Sequence, residues 1–325
     1  MTPTASRSFT PADLEVLCRE VVRRAGASEA AAQALAVATV EAEKRNRPAV
    51  GVRHLLDYVT ALRDGRLNGH PSPTLTGSRP SALVADADGG PAQLAFDLFL
   101  PRLIDAAQSS GVAVLSLSNA FTTGELGFYV RRLTTAGLIG LVCGNSPALV
   151  SVYGSPGPVT GTNPLAFGVP QRSGSRAFDQ ASSATAWVNV RDAAERGEPI
   201  PEGWANDGDG EATTDATAAL DGSLLPFGGV KGANIAIMVE LLATLAGGSF
   251  SLDATGSSGS EPPRLGLFAL AIDPTAFDAT ALDRVERHFA RDDASGLESF
   301  GRPREPLTRI DIEESLLERL AEAAR

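Results

Sequence analysis

The chain has 325 residues, of which 43% are hydrophobic and 21% charged, as in an ordinary globular protein with a sizeable core. Its formal net charge of −11 argues against binding to nucleic acid or to an anionic membrane, because neutralising phosphates requires clustered lysine and arginine. The two cysteines lie far apart, no apolar run reaches membrane-spanning length and residues 1–7 lack an apolar signal segment, so we expect a cytoplasmic protein with reduced thiols.

The first third of the chain has the pattern of a small helical unit. Thr10 and Asp13 predict a helix start, and apolar residues follow at helical spacing. A second, alanine-rich helix is predicted to begin at Ser28, and a third to cover about 50–63. Residues 64–80 are rich in glycine, proline and serine, which predicts a connection and a domain boundary there.

The rest of the chain alternates predicted strands and helices. The strands are predicted at 82–85, 112–117, 138–143, 176–178 and 264–272, and the helices at about 92–109, 125–135 and 234–245. Pro101 lies inside the first of these helices and should kink it. Asp311 is predicted to cap a terminal amphipathic helix.

Three short polar segments at the ends of predicted strands are candidates for a binding site. They begin at Gly144, Gly161 and Asp179. Their small hydroxyl and amide residues would form a shallow polar cradle suited to a phosphate-bearing cofactor, although each segment is also compatible with an ordinary turn. The sequence contains neither a Rossmann glycine fingerprint nor a P-loop, and its three histidines lack metal-ligand spacing, so we expect no metal site.

Four longer motifs lie between residues 161 and 274. They are Gly-Thr-Asn-Pro-Leu-Ala-Phe at 161–167, Arg-Gly-Glu-Pro-Ile-Pro-Glu-Gly-Trp at 196–204, Leu-Pro-Phe-Gly-Gly-Val-Lys-Gly at 225–232 and Ala-Ile-Asp-Pro at 271–274. These motifs resemble those of the malate/L-lactate dehydrogenase-like oxidoreductases, a family without a Rossmann fold that includes ureidoglycolate dehydrogenase and Δ1-piperideine-2-carboxylate reductase.

The resemblance implies an α/β fold with two domains. A non-Rossmann NAD(P)-binding domain with a mixed, largely antiparallel sheet would span 76–304. A helical domain formed by both chain termini would comprise 1–75 and 305–325. The resemblance also implies a homodimer with its active site near the interface, NADPH or NADH as cofactor, and a small-molecule substrate.

The resemblance and the polar segments together indicate where the cofactor would bind. The predicted contacts are Thr123, Gly124, Asn145, Ser146, Gly161, Thr162, Asn163, Pro164, Ser182 and Lys231. Lys231 lies at a predicted helix N-terminus, where backbone N–H groups suit an anion, although an exposed lysine without a function fits the pattern as well.

The resemblance also identifies substitutions at the expected active site. Family members carry histidines where this chain has Val50, Thr122 and Val230, and a substrate-binding arginine at the position of His54. The predicted catalytic residues are therefore His54, Thr122, Asp179 and Tyr58, and the predicted substrate contacts are Arg53 and Val50.

Each of these side chains also has a purely structural interpretation. His54 could pack at an interface and Tyr58 in the core, while Arg53 could simply be exposed to solvent. Thr122 could cap a helix, and Asp179 could do no more than shape a turn.

The missing histidines affect the expected chemistry. Reduction of a 2-keto acid requires a hydride and a proton, and valine supplies no proton while threonine is a poor acid. A cyclic iminium arrives already protonated and needs only the hydride. We therefore predict a divergent NAD(P)H-dependent reductase of a small cyclic imino acid or 2-keto acid, with imines favoured, in specialised biosynthesis. The alternatives are a fold repurposed for a non-redox cyclisation or isomerisation, and a non-catalytic binding homologue.

Overall fold

The computed structural model describes residues 5–172, 174–256, 261–291, 296–302 and 305–325. The strands of these residues are β1 Ser6–Phe9, β2 Thr74–Arg79, β3 Ala82–Asp86, β4 Val112–Ala120, β5 Ile139–Gly144, β6 Leu165–Gln171, β7 Gly174–Gln180, β8 Ala205–Asn206, β9 Ala212–Thr213, β10 Ser223–Leu224, β11 Leu265–Ile272 and β12 Ile310–Glu313. The helices are α1 Pro11–Arg24, α2 Glu29–Glu43, α3 Val52–Arg63, α4 Ala92–Ser110, α5 Leu126–Thr135, α6 Trp187–Arg196, α7 Ala216–Leu220, α8 Val230–Ala243, α9 Ala281–Phe289 and α10 Glu314–Ala323.

The central sheet has the strand order β2-β3-β4-β11-β5-β6-β7. β3 and β4 are parallel and are joined by α4, and all other neighbours in this sheet are antiparallel. This arrangement confirms the predicted mixed, largely antiparallel sheet. Leu115 and Leu117 of β4 face the buried sides of α4 and α5, whereas Phe268 of β11 packs with Val239 of α8 on the opposite face. The sheet is therefore covered on both faces.

The two ends of the chain share one hydrophobic core. β1 pairs with β12 in antiparallel register, with Phe9 opposite Ile310. Leu14 of α1, Leu55 of α3 and Leu320 of α10 are buried in the same apolar cluster. This contact between the termini agrees with the helical domain implied by the resemblance, while the division into two domains at 75–76 and 304–305 stays a prediction.

A small third layer lies between β7 and α8 in the chain. The strands β10, β8 and β9 form a sheet of their own, and α6 and α7 pack beside it. Val150 and Val152, from the loop between β5 and β6, join its apolar core. The layer thus contacts the loops that the sequence identified as candidate cofactor sites.

The structure corrects several predicted boundaries. Asp311 does not cap the terminal helix, because it lies in β12 opposite Ser8 and α10 begins only at Glu314. Apolar and charged residues alternate at 310–313, which is the period of a strand. The predicted connection 64–80 contains β2. α8 begins at Val230, four residues before the predicted start.

Candidate active site

The candidate active site is a polar cluster where α3 meets the segment that follows β4. The buried carboxylate of Glu43 accepts a hydrogen bond from the N–H of Val52 at 2.7 Å, and burial raises the pKa of Glu43. A Cβ atom on Gly51 would lie 2.1 Å from Oε1 of Glu43. Glycine at position 51 therefore allows this carboxylate to hold the first turn of α3, which carries His54.

His54 is the centre of the cluster. Its Nδ1 lies 2.9 Å from Oδ2 of Asp57, and its Nε2 lies 3.3 Å from Oγ1 of Thr122. The hydroxyls of Thr122 and Tyr58 are 2.5 Å apart, and Nε2 of Gln93 donates to the Tyr58 hydroxyl at 3.1 Å. The structure thus joins three of the predicted catalytic residues to two residues that the sequence did not indicate.

Tyr58 is buried and remains protonated. Its ring packs edge-on against the imidazole of His54, with 4.7 Å between the ring centroids. Burial raises the pKa of Tyr58 to about 12, against the opposing effect of hydrogen bonds from Thr122 and Gln93. Its hydroxyl can therefore orient neighbouring groups, but it is not a base near neutral pH.

The backbone of the segment after β4 is held by Gln93. Besides Tyr58, Nε2 of Gln93 donates to the carbonyl oxygen of Thr123 at 3.1 Å, and the Tyr129 hydroxyl donates to the same oxygen at 2.6 Å. Gly124 has a φ of +64°, and a Cβ there would lie 2.8 Å from Nε2 of Gln93. These contacts position Thr123 and Gly124, whose contacts with the cofactor stay predictions.

Asp179 lies at the end of β7 and is connected to the start of α5. Its Oδ2 accepts a hydrogen bond from the N–H of Gly127 at 2.9 Å. Burial raises the pKa of Asp179 to about 6, and the negative charge of Glu125 acts in the same direction. A carboxyl group with this pKa can take up or release a proton near neutral pH, as the predicted catalytic role requires.

The three polar segments predicted from the sequence come together. Oγ of Ser146 accepts a hydrogen bond from the N–H of Thr162 at 3.0 Å, and the N–H of Ser182 donates to the carbonyl oxygen of Thr162 at 2.7 Å. A Cβ on Gly161 would lie 2.3 Å from the carbonyl oxygen of Ser146. The close approach of the first two loops therefore requires glycine at position 161.

A buried carboxylate holds these loops in place through hydrogen bonds. Oε2 of Glu240, on α8, accepts hydrogen bonds from Oγ1 of Thr160 at 2.5 Å and from Nδ2 of Asn163 at 3.0 Å. Its Oε1 accepts from the N–H of Ser251 at 2.8 Å, and Oγ of Ser251 accepts from the N–H of Gly161 at 2.9 Å. The sequence analysis missed this network, since a glutamate in an apolar helix does not reveal its distant partners.

Three predicted cofactor contacts have side chains that are occupied within the protein. Asn145 donates to the carbonyl oxygen of Ser249 and accepts from the N–H of Gly266, and Ser182 donates to the carbonyl oxygen of Asn163. Asn145, Asn163 and Ser182 are all buried. These side chains hold the loops in place, whereas those of Ser146 and Thr162 remain partly exposed.

The remaining predicted residues lie at the edges of this region. Pro164 accepts a backbone hydrogen bond from Gly144, and Val50 ends the short 3-10 turn before α3. Lys231 is exposed in the first turn of α8. Arg53 forms an ion pair with Asp192 of α6 at 3.4 Å, so its guanidinium is oriented by the third layer.

Asp57 and Gln93 were not predicted as site residues, and the sequence carried a usable signal for only one of them. Asp57 lies three residues after His54 on one helix, a spacing that brings side chains together and was available as a signal. Gln93 reaches Tyr58 across 35 positions of the chain, and its residue type alone carries no indication of that contact.

Among the residues that the structure describes, no group of three or more histidine, cysteine, aspartate or glutamate side chains could hold a metal ion. Likewise, no helix in the part of the chain that the structure describes is long and apolar enough to cross a membrane.

Comparison with known proteins identifies the family. Residues 9–298 match the family described as malate/L-lactate dehydrogenase, and the chain belongs to this family. The sequence is 38% identical over 283 residues to a Δ1-pyrroline-2-carboxylate/Δ1-piperideine-2-carboxylate reductase of Pseudomonas aeruginosa, covering 86% of this chain and 84% of that enzyme.

Two further relatives show the range of the similarity. A (2R)-3-sulfolactate dehydrogenase (NADP(+)) of Chromohalobacter salexigens is 33% identical over 288 residues, covering 87% of this chain and 86% of that one. The crystal structure of Δ1-piperideine-2-carboxylate reductase from Pseudomonas syringae pv. tomato superposes with a TM-score of 0.85 and 32% identity, over 98% of this chain and 99% of that chain.

Proposed function

We propose that this protein is an NAD(P)H-dependent reductase of a small cyclic imino acid, with the carboxylate on the carbon of the C=N bond. The observation that supports this proposal most directly is the hydrogen bond between His54 and Thr122, beside the candidate cofactor loops. The names of the reductases from Pseudomonas, which act on Δ1-pyrroline-2-carboxylate and Δ1-piperideine-2-carboxylate, support the same substrate class.

The residues around the loops fit a dinucleotide. Gly228 and Gly229 have positive φ and open space where a Cβ would lie, so a ligand can approach their backbone closely. Lys231 and the N–H groups at the start of α8 suit the diphosphate, with Ser146 and Thr162 as hydroxyl partners. When bound, NADPH or NADH supplies the hydride.

The polar cluster suits a substrate that carries a basic nitrogen. A ketone would leave an alkoxide after hydride addition, and that charge requires a strong proton donor. An imine nitrogen accepts a proton before the hydride arrives, so one imidazole and one hydroxyl suffice. His54 and Thr122 provide these groups, and the pKa of Asp179, about 6, makes it a second carrier of protons.

The substrate carboxylate requires a cation, and Arg53 is our candidate. It lies one residue before His54, on the first turn of α3. Its ion pair with Asp192 is long, at 3.4 Å, and both side chains are partly exposed. A planar guanidinium in this position can release Asp192 and bind the substrate carboxylate, or it can bind both carboxylates at once.

We also propose that the protein is a homodimer that uses the exposed side of α8. Val230, Met238, Leu241 and Leu245 are between 40% and 65% exposed. At 100° per residue Val230, Met238 and Leu241 lie within an arc of about 80° on one side of α8, and Leu245 follows the end of this helix. These exposed apolar residues, with Asn234 between them, lie next to the candidate cofactor loops and fit a second copy of the chain, with the active site near the interface.

The test is binding followed by turnover. The purified protein is titrated with NADPH and with NADH by fluorescence, and then supplied with Δ1-pyrroline-2-carboxylate, Δ1-piperideine-2-carboxylate and pyruvate. We expect micromolar cofactor binding, reduction of the two imines, and transfer of deuterium from C4-deuterated cofactor to the product. Failure to bind either cofactor contradicts the proposal, while binding without deuterium transfer favours a non-redox reaction in the same pocket.

A further inference from the structure

The hydrogen-bonded group around His54 runs from solvent to the interior. The side chain of Asp57 is 54% exposed and that of His54 is 22% exposed. Tyr58 and Gln93, at the other end, are each 2% exposed. Thr122 lies between the two ends and is partly exposed. The group therefore has one end that exchanges protons with water and one end that is fixed within the protein.

The two ends determine the hydrogen-bond directions when the imidazole of His54 is neutral. The carboxylate of Asp57 only accepts, so Nδ1 carries the hydrogen and Nε2 accepts from the hydroxyl of Thr122. Gln93 donates through one nitrogen to the Tyr58 hydroxyl and to a backbone carbonyl oxygen, and the reversed amide would place two oxygens in contact. In the structure the Thr122 hydroxyl donates to Tyr58 at 2.5 Å, so in this state it turns from Tyr58 to Nε2 of His54.

Uptake of a second proton by His54 reverses part of this chain. Nε2 then donates to Oγ1 of Thr122, and the hydroxyl proton of Thr122 turns away from the imidazole. In the structure this proton is donated to the Tyr58 hydroxyl, and we expect it to turn to a basic atom that binds beside Thr122. Tyr58 stays in contact with Thr122 and with Gln93 in both states, which keeps the threonine hydroxyl in place.

We propose that Thr122 relays a proton from His54 to the imine nitrogen of the substrate, and that Asp57 and Gln93 are positioning residues that orient this relay from its two ends. The relay depends on the reductase function proposed above. It assigns a role to two residues that make no contact with the substrate themselves.

The proton and electron balance is simple. The hydroxyl proton of Thr122 forms the new N–H bond at the imine nitrogen, while the Nε2 proton of His54 moves to Oγ1 of Thr122. The hydride from the reduced cofactor bonds to the imine carbon, and the electron pair of the C=N π bond becomes the lone pair of the nitrogen. His54 is left neutral and regains one proton from water on its exposed side.

The first test uses the ligand-free protein. The chain has only three histidines, so the ring nitrogens of 15N-histidine-labelled protein can be resolved by NMR, and His54→Gln identifies the His54 signals. At a pH where this ring is neutral, we expect the Nδ1–H form in the wild type. Asp57→Ala should shift the ring towards the Nε2–H form, whereas Asp105→Ala, at an exposed position on α4, should leave it unchanged.

The second test is kinetic. With Δ1-pyrroline-2-carboxylate, Thr122→Val should lower kcat/KM about 100-fold, the lower range for loss of acid catalysis. Thr122→Ser retains a hydroxyl and should recover most of this activity. Gln93→Met should lower kcat with little change in KM, and both Thr122 variants should bind NADPH or NADH as tightly as the wild type.

The outcomes separate the relay from the proposed reductase function. An Nε2–H ring in the wild type, or no response to Asp57→Ala, overturns the relay even if the enzyme reduces imines. Equal activity of Thr122→Val and the wild type overturns it as well. A wild-type protein that shows the expected ring form but reduces no imine refutes the reductase function instead.

Discussion

The carboxylate of Asp179, at the end of β7, accepts a hydrogen bond from the N–H of Gly127 in the first turn of α5 at 2.9 Å. This contact connects the sheet to the segment that also carries Thr122 and Thr123. Because burial raises the pKa of Asp179 to about 6, the contact is formed by a group that changes its charge near neutral pH.

The raised pKa of Asp179 predicts a specific pH dependence of stability. An aspartate in an unfolded chain titrates near 3.9, so between about pH 4 and pH 6 the folded state holds more protons than the unfolded state. The contribution of Asp179 to the free energy of unfolding therefore falls as the pH rises through this window. Above it, the contribution stays at its lower value.

The Asp179→Asn variant should lack this dependence. We expect the variant to gain stability relative to the wild type as the pH rises from 4.5 to 7, measured by urea unfolding at several pH values. Asp105→Asn, at an exposed position on α4, is the control and should track the wild type. A constant difference between Asp179→Asn and the wild type over this range would refute the assignment.

Gly161→Ala should disturb the contact between the first two loops. The added Cβ would lie 2.3 Å from the backbone oxygen of Ser146, so the loops must move apart. We expect a loss of about 1–3 kcal/mol in the free energy of unfolding, together with weaker cofactor binding in the fluorescence titration. Gly157→Ala, four positions earlier and with open space around its Cβ, should behave as the wild type.

Glu240→Gln should destabilise the protein. The carboxylate accepts from Thr160, Asn163 and the N–H of Ser251, and an amide in either orientation brings its NH₂ group against one of the last two donors. We expect a loss of about 1–3 kcal/mol by urea unfolding. The exposed Glu195→Gln serves as control, and equal stability of the two variants would show that the buried network is not selective for a carboxylate.

Arg53→Ala should separate substrate binding from stability. Because the ion pair with Asp192 is partly exposed, its loss should change the free energy of unfolding by less than about 1 kcal/mol. If Arg53 binds the substrate carboxylate, KM for the imino acid should rise several-fold while cofactor affinity stays constant. Asp192→Ala removes the same ion pair but keeps the guanidinium, so a similar rise in KM there would point to the ion pair instead.

Leu241→Glu should prevent the proposed dimer. The side chain is 55% exposed, so a charge there leaves the folded monomer intact but cannot be buried against a second copy. Light scattering coupled to size exclusion should show a dimer for the wild type and a monomer for the variant. Glu318→Gln, on the exposed side of α10, should keep the wild-type mass. A monomeric wild type would exclude the dimer.

Local patterns allowed much of the fold to be predicted. The N-terminal caps are an example, since Thr10 accepts from the N–H of Asp13 and Ser28 from that of Ala31 as their positions before apolar runs suggested. The strand β11 lies within one residue of its prediction, because an uninterrupted apolar run is a local signal. The mixed sheet, by contrast, was expected from the resemblance to a family rather than from these patterns.

The tertiary structure decided how distant residues meet. β1 was not predicted, since its four residues form a strand only through pairing with β12, about 300 positions further along. Gln93 and Glu240 acquire their roles in the same way, since Thr123 lies 30 positions from Gln93 and Thr160 lies 80 positions from Glu240. Sequence patterns report helix caps and periodicity because these depend on neighbours in the chain. Buried polar networks depend on packing, which brings distant donors and acceptors within hydrogen-bonding distance of one another.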